Sequence, residues 1–156
     1  MSKSKRRFQA ALNAEGIQRE ITQLPDSTRT AKEAAASVGC DVAQIAKSLV
    51  FRGEKTGNAV LVVVSGANRV CLEKLGEFVK EPIGRANANF VREITGYAIG
   101  GVPPFGHRNP VPTLLDEALF KFNRIWAAAG GPFSVVEMTP QELTQVTGAP
   151  ILNIKE

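Results

Sequence analysis

The stretch Ala59-Val60-Leu61-Val62-Val63-Val64 decides the fold of this chain, within a predicted strand over residues 58–65. Its apolar residues follow one another without alternating with polar ones, which is typical of a strand buried on both faces in the centre of a sheet. A second, largely apolar run over residues 48–52 predicts a neighbouring strand. Residues 53–57 would then form the hairpin loop between the two strands.

Helices and strands are interleaved irregularly around this hairpin. Apolar spacing and capping signals predict helices over residues 5–14, 30–39, 41–46, 72–79 and 87–95, and a last one that opens at Thr139-Pro140. Ser27 or Thr28 is the expected cap of the second helix, and Thr139 with Glu142 forms a capping box. Shorter strands are predicted over residues 17–24, 111–115, 133–138 and 150–154, whereas residues 119–129 fit neither period. This order predicts an α+β (mixed α/β) fold rather than a doubly wound one.

Length and composition place the chain in a broad class. Its 156 residues fit one domain, residues 1–156, that can bury a core without disulfides or metals. No apolar stretch reaches the length of a bilayer span, and residues 2–13 are too basic for a signal peptide. Cys40 and Cys71 show no CxxC spacing, so we expect two small buried or half-buried side chains rather than a metal site. The predicted location is the cytoplasm.

The formal net charge of +4 is concentrated near the start of the chain. Lys3, Lys5, Arg6 and Arg7 account for all of it. This basic cluster has two interpretations: an arm that touches an RNA backbone, or a solvated first helical turn. Charge alone does not decide between them.

Familiar catalytic signatures are absent from the sequence, which contains no GxSxG, GxxxxGK[ST], HExxH or GxGxxG motif. His107 is the only histidine, so a site built from several imidazoles is excluded. These absences favour chemistry that needs few ionised side chains. We expect no metal and no cofactor.

Residues 100–107, Gly-Gly-Val-Pro-Pro-Phe-Gly-His, combine sharp turns with rigidity. Glycines allow a ligand to approach main-chain N–H groups, which can stabilise an oxyanion. The alternative is a structural turn in which Phe105 fills the core. His107 could line a pocket or simply make a local hydrogen bond.

Lys47 is the second candidate, at the end of the predicted helix over residues 41–46 and directly before the strand over residues 48–52. An ammonium at the mouth of a strand can hold a phosphate or carbonyl oxygen, although most lysines are only solvated. Asp116 and Glu117 are expected to be surface or capping residues.

Four segments together resemble the YbaK/ProX family of aminoacyl-tRNA deacylases, which includes the editing domain of bacterial prolyl-tRNA synthetases. They are Thr28-Arg29-Thr30-Ala31, residues 45–51, residues 61–66 and residues 96–106. The resemblance implies a curved mixed β-sheet flanked by short helices. It also implies hydrolysis of the ester in a mischarged tRNA that carries a small amino acid of the alanine, cysteine or serine type.

The resemblance assigns roles residue by residue. Lys47 falls on the family's essential lysine, and Gly100 opens its GxxxP loop, so both are expected to be catalytic. The residues expected to bind substrate are Thr30, Ser65, Gly101, Val102, Pro103, Pro104 and His107. In this family a ribose hydroxyl of the substrate activates the attacking water, which agrees with the lack of an obvious protein base. Residues 130–134 offer no counterpart to an acidic pocket residue found in some relatives.

The implied partners are the acceptor end of a mischarged tRNA and an aminoacyl-tRNA synthetase. No DNA partner is expected, because the chain lacks a recognition helix and a strong basic stripe. No membrane partner is expected, because no apolar stretch is long enough to cross a bilayer. The alternative from another functional class is a non-catalytic module that binds a nucleotide, an amino acid or the end of a tRNA.

Overall fold

The computed structural model describes residues 2–156, so Met1 of the predicted domain lies outside the described residues. The helices are α1 (Lys3–Ala14), α2 (Ala31–Val38), α3 (Leu72–Val79), α4 (Ala88–Thr95) and α5 (Pro140–Thr147). The strands are β1 (Thr22–Gln23), β2 (Ile45–Gly53), β3 (Ala59–Ser65), β4 (Ile83–Arg85), β5 (Thr113–Asp116), β6 (Ile125–Ala128), β7 (Ser134–Met138) and β8 (Ile151–Leu152). Two 3-10 turns occupy Val42–Gln44 and Glu117–Lys121.

The eight strands form one mixed sheet in the order β1-β7-β6-β2-β3-β5-β8, with β4 also paired to β2. The pairs β2/β6, β3/β5 and β5/β8 are parallel, and the others are antiparallel. Short helices accompany this sheet. The predicted mixed α/β class is therefore confirmed.

The central hairpin is confirmed as the core of the sheet. β2 and β3 pair from Ala46 opposite Ser65 to Arg52 opposite Ala59. The side chains of β3 alternate between two apolar clusters, one that contains Leu61 and Val63 and one that contains Val62 and Val64. Both faces of β3 are covered, which explains its continuous apolar sequence.

Helix capping followed the predictions in one place and departed from them in another. Thr139 and Glu142 form the expected capping box at the start of α5. The cap of α2, however, is Thr30 rather than Ser27 or Thr28, because its extended backbone lets Oγ1 accept from the Glu33 N–H at 3.1 Å.

Two predicted elements were too long. The helix predicted over residues 41–46 is only the turn Val42–Gln44, since Ile45 already pairs with Trp126 of β6. Lys47 is therefore the third residue of β2. The strand predicted over residues 17–24 shrinks to β1, because Ile17 closes the end of α1 by donating its N–H to the Leu12 carbonyl at 3.0 Å.

The ambiguous residues 119–129 divide between the turn Glu117–Lys121 and strand β6. The strands predicted over residues 111–115, 133–138 and 150–154 became β5, β7 and β8 with shifted ends. Within residues 2–156, no helix combines the length and the apolar character that crossing a bilayer requires.

Candidate active site

A cleft of about 700 Å³ lies along β2, where the pairing of the sheet is interrupted. On the side of β2 away from β3, β6 pairs with Ile45 and Ala46, and β4 pairs only from Phe51 onward. The stretch between them has no strand opposite it and lines the cleft. The cleft is bounded mainly by apolar side chains, among them Leu24, Val91, Ile99, Trp126 and Phe133.

Lys47 is the half-buried cation of this cleft. Within residues 2–156 its ammonium has no hydrogen-bond or ion-pair partner. Burial, together with the positive charge of Arg69, lowers the pKa of Lys47 below its ordinary value of 10.5. Lys47 thus lines the cleft with the donors of its ammonium unused.

Two residues of the loop over residues 100–104 line the same cleft. Gly100 has a φ of 90°, a conformation that favours glycine, and both Gly100 and Val102 line the cleft. The N–H of Gly101 is already bonded to the Ala98 carbonyl at 2.9 Å, and prolines have no N–H. Among the described residues, nothing accepts from the N–H groups of Gly100 and Val102.

Gly101 has a packing role that explains its residue type. Its carbonyl accepts from the Gly130 N–H at 3.0 Å. A Cβ at Gly101 would lie 2.9 Å from the carbonyl carbon of Gly131, too close for any other residue without a shift of backbone. The loop is thereby held against residues 130–131.

The structure brings Thr30, Lys47, Gly100 and Val102 together at the cleft. The Oγ1 of Thr30 is engaged in capping α2. Ser65 lies elsewhere and is fully buried, and its Oγ donates to the Ala43 carbonyl at 2.7 Å.

The remaining expected binding residues also lie outside the cleft lining: Gly101, Pro103, Pro104 and His107. His107 donates from Nε2 to the Pro103 carbonyl at 2.7 Å, and its burial lowers the pKa of the imidazole below 6.5. Phe105 packs on Phe8 with ring centroids 5.0 Å apart, so the interpretation of Phe105 as a core residue is confirmed.

Asp116 corrects an expectation. It is fully buried rather than on the surface, and its carboxylate accepts from the Ser65 N–H at 3.0 Å and from Asn68 Nδ2 at 2.9 Å. It also accepts from the Ala118 N–H at 2.9 Å, so the capping part of the expectation was right. Glu117 is exposed, as expected.

Sequence reasoning missed Ser48, whose Oγ is buried and has no hydrogen-bond partner within residues 2–156. Ser48 follows Lys47 and lines the cleft. The available signal was a polar residue at the start of an apolar strand. Arg29 and Arg85, two exposed arginines in the cleft lining, were also missed as site residues, although Arg29 lies in one of the four segments that resemble the family.

The basic cluster lies in α1, beside a second groove of about 490 Å³ that shares residues 132–134 with the cleft. Internal contacts involve, among others, Lys5 and Arg7. Lys5 donates to Gln23, and Arg7 donates to the Gly96 carbonyl and lies 4.8 Å from the centre of the Tyr97 ring. The predicted helical turn is confirmed, and contact of the cluster with an RNA backbone stays a prediction.

Comparison with known proteins places this geometry in a family. Residues 25–146 match the model of the aminoacyl-tRNA editing domain. The uncharacterised protein YwhH of Bacillus subtilis (strain 168) is 34% identical over 126 residues, which cover 81% of this chain and 80% of that protein. EbsC of Enterococcus faecalis (strain ATCC 700802 / V583), a candidate Cys-tRNA(Pro)/Cys-tRNA(Cys) deacylase, is 29% identical over 126 residues, covering 80% of this chain and 76% of its own.

A solved structure extends this similarity over the whole fold. A candidate trans-editing enzyme for prolyl tRNA synthetase has a TM-score of 0.94 and 50% sequence identity, and the match covers 100% of this chain and 99% of that one. The chain therefore belongs to the aminoacyl-tRNA editing domain family, and its activity is that of an aminoacyl-tRNA deacylase.

Proposed function

We propose that this protein acts in trans, as a single domain over residues 1–156, to release a small amino acid of the alanine, cysteine or serine type from a mischarged tRNA. One observation carries the proposal: the same cleft is lined by Lys47, whose ammonium is unpaired within residues 2–156, and by Gly100 and Val102, whose N–H groups are free there. A cation and two main-chain donors can hold an ester and stabilise the charge that forms on it.

In the proposed reaction, water attacks the carbonyl carbon of the ester. The carbonyl oxygen becomes an oxyanion held by the N–H groups of Gly100 and Val102, and Lys47 holds the substrate beside them. Collapse of this intermediate breaks the bond to the ribose oxygen, which leaves with a proton as the terminal hydroxyl of the tRNA. The other product is the free amino acid.

The neighbouring ribose hydroxyl of the substrate relays a proton in this proposal: it accepts the proton of the attacking water and passes its own proton to the ribose oxygen that leaves. Within the described residues, the lining of the cleft contains no carboxylate and no imidazole that could serve as a base. An ester is already activated toward water. Positioning and oxyanion stabilisation therefore supply most of the rate enhancement.

Selectivity would come from the walls of the cleft. A pocket separates substrates that differ by one methylene by only about 1–3 kcal/mol, whereas it can exclude a larger side chain sterically. Apolar side chains such as Ile99, Trp126 and Phe133 bound the space. The names of EbsC and of the solved trans-editing structure support cysteine as a substrate and tRNA(Pro) as a carrier.

The acceptor end of the tRNA is the part that would enter the cleft. Arg29 and Arg85 are exposed in its lining and can contact phosphates. A synthetase could deliver the charged tRNA and supply tRNA selectivity.

The test is hydrolysis of tRNAs charged with alanine, cysteine, serine and proline by the wild-type protein and by Lys47→Ala. We expect release of at least one of the three small amino acids, no release of proline, and loss of turnover in the variant. Intact esters across the panel, even with the cognate synthetase added, would refute the proposal. They would favour the alternative of a binding module.

A further inference from the structure

Ser48 lies in the gap in the sheet that opens the cleft. On its outer side, β6 ends its pairing with β2 at Ala46, and β4 begins at Phe51. Ser48 therefore has β3 on one side and the cleft on the other.

The hydrogen-bond pattern of β2 fixes the direction in which the main chain of Ser48 points. Gly53 donates to the Asn58 carbonyl at 2.9 Å, and the Ile45 carbonyl accepts from Gly66 at 2.7 Å, so odd-numbered residues bond toward β3. In an antiparallel pair these bonding positions alternate, so even-numbered residues bond outward. The bond from the Glu54 N–H to the Pro82 carbonyl at 2.9 Å follows the same alternation.

The N–H and C=O of Ser48 consequently face the gap, where the register places no partner strand. Its Oγ is buried and also lacks a partner within residues 2–156. Buried polar groups of native proteins are almost always hydrogen-bonded. A buried hydroxyl without a partner, next to an N–H and a C=O that face the gap, therefore points to a ligand that supplies both a donor and an acceptor.

An aminoacyl ester has that pattern of groups. In an antiparallel sheet, a residue in a hydrogen-bonded pair exchanges two bonds, one through its N–H and one through its C=O. The α-ammonium and the ester carbonyl of an aminoacyl group flank one carbon atom, just as the N–H and C=O of a strand residue do. The aminoacyl group can thus occupy the gap as a strand of a single residue.

We propose that the main chain of Ser48 holds the aminoacyl group in this way. The carbonyl of Ser48 accepts from the α-ammonium, and the N–H of Ser48 donates to the ester carbonyl, beside the donors of Gly100 and Val102. The inference rests on the proposed function and adds a subsite for the amino group. Because every amino acid carries an α-amino group, this subsite recognises the class of substrate and leaves the choice among side chains to the walls of the cleft.

The first experiment changes only the amino group. The 3′-terminal ester of one tRNA is prepared with alanine, lactate (2-hydroxypropanoate) or propanoate. Each enzymatic rate is divided by the uncatalysed rate in the same buffer, because the ammonium itself activates the ester. We expect alanyl to be hydrolysed fastest, propanoyl to lose about ten- to a hundredfold in kcat/KM, and lactyl, which keeps a neutral donor, to lie between them.

Equal normalised rates for alanyl and propanoyl esters would overturn the inference and leave the deacylase function standing. If neither these esters nor those of cysteine and serine were hydrolysed, the proposed function would fail, and this inference with it.

The second experiment tests the N–H of Ser48. Ser48→Pro removes an N–H that does not belong to the β3 ladder, a position where a strand tolerates proline. Ser48→Ala is the matched variant, since both substitutions lose the hydroxyl and only one loses the N–H. We expect kcat/KM for the alanyl ester to be about a hundredfold lower in Ser48→Pro than in Ser48→Ala. Equal rates in two folded variants would contradict the role of the N–H.

A third measurement needs no substitution and so remains decisive if Ser48→Pro misfolds. The wild-type protein, labelled with 13C at its carbonyl carbons, is titrated with 3′-alanylamino-3′-deoxyadenosine, in which an amide replaces the ester. We expect the carbonyl signal of Ser48 to move more than that of Leu49, whose carbonyl points to β3. A shift at Leu49 with none at Ser48 would refute the pairing.

Discussion

Strands β2 and β3 are neighbours in the same hairpin, yet they differ in pairing and burial. β3 is paired to β2 along its whole length and to β5 along its middle, and its residues from Leu61 to Ser65 are completely buried. β2 is fully paired only toward β3, and its middle residues are half-buried on the open side. From this difference we expect β3, the closed strand, to contribute more to stability, and β2, the open strand, to carry the proposed binding groups.

The largest expected effect is a loss of stability when the closed strand β3 is changed. Leu61→Ala removes a fully buried side chain from the core that contains Phe8 and Leu115, so we expect the free energy of unfolding to fall by about 2–5 kcal/mol. Urea denaturation measures it. Ile151→Ala, at a side chain that is 44% exposed, is the control and should cost much less. A loss below about 1 kcal/mol at Leu61 would show that β3 is not the stabilising strand.

For β2, the open strand, we expect a substitution to lower catalysis rather than stability. Lys47→Met removes a half-buried charge that has no partner within residues 2–156 but keeps its apolar stem. We expect kcat/KM to fall by about a hundred- to a thousandfold, as when one oxyanion donor is lost, with no decrease in the free energy of unfolding. Deacylation kinetics and urea denaturation test both parts.

The exposed Lys121 provides the control, and Lys121→Met should change neither property. A fully active Lys47→Met would remove Lys47 from the site. A large decrease in the free energy of unfolding of Lys47→Met would instead show that Lys47 has a structural role.

The sequence predicted β3 more completely than β2, and the reason is physical. The apolar run of β3 identifies a buried central strand without further information, because covering both faces requires apolar residues throughout. Local pattern marked Lys47 and the glycine–proline loop as candidates, and the family resemblance then assigned them roles. The structure added that, of the residues 100–104, only Gly100 and Val102 line the cleft.

The gap beside Ser48 could not be predicted from local sequence. It arises because β6 and β4 pair with opposite ends of β2, and those strands come from distant parts of the chain. Asp116 was misplaced for a similar reason, since the partners that make its burial tolerable, Ser65 and Asn68, lie about fifty residues away. Periodicity reports which face a residue occupies and contains no information about the strand opposite it.

A smaller effect concerns stability at alkaline pH. The pKa of Lys47 is lowered in the native state, mainly by burial, so between that value and the unfolded value near 10.5 the unfolded chain binds more protons than the native one. The free energy of unfolding of the wild type, relative to Lys47→Met, should therefore rise with pH across this window. Denaturation of both proteins at several pH values measures the difference. A difference that stays flat or falls would show that the native pKa of Lys47 is not lowered.

The smallest effect concerns Arg69, the second cause of the lowered pKa of Lys47. Arg69→Gln removes a nearby positive charge, so the pKa of Lys47 should rise toward its ordinary value while burial still holds it below. If the reaction needs the ammonium form, the alkaline limb of kcat/KM then moves to higher pH. High salt should move the limb of the wild type in the same direction, because salt screens the repulsion between the two cations.

The pH profile of kcat/KM must be corrected for hydroxide-driven hydrolysis of the ester. Lys121→Gln serves as the control for a change in net charge alone. An equal shift in Lys121→Gln would assign the effect to the overall charge of the protein. A shift confined to Arg69→Gln would show that Arg69 lowers the pKa of Lys47 in the open strand β2.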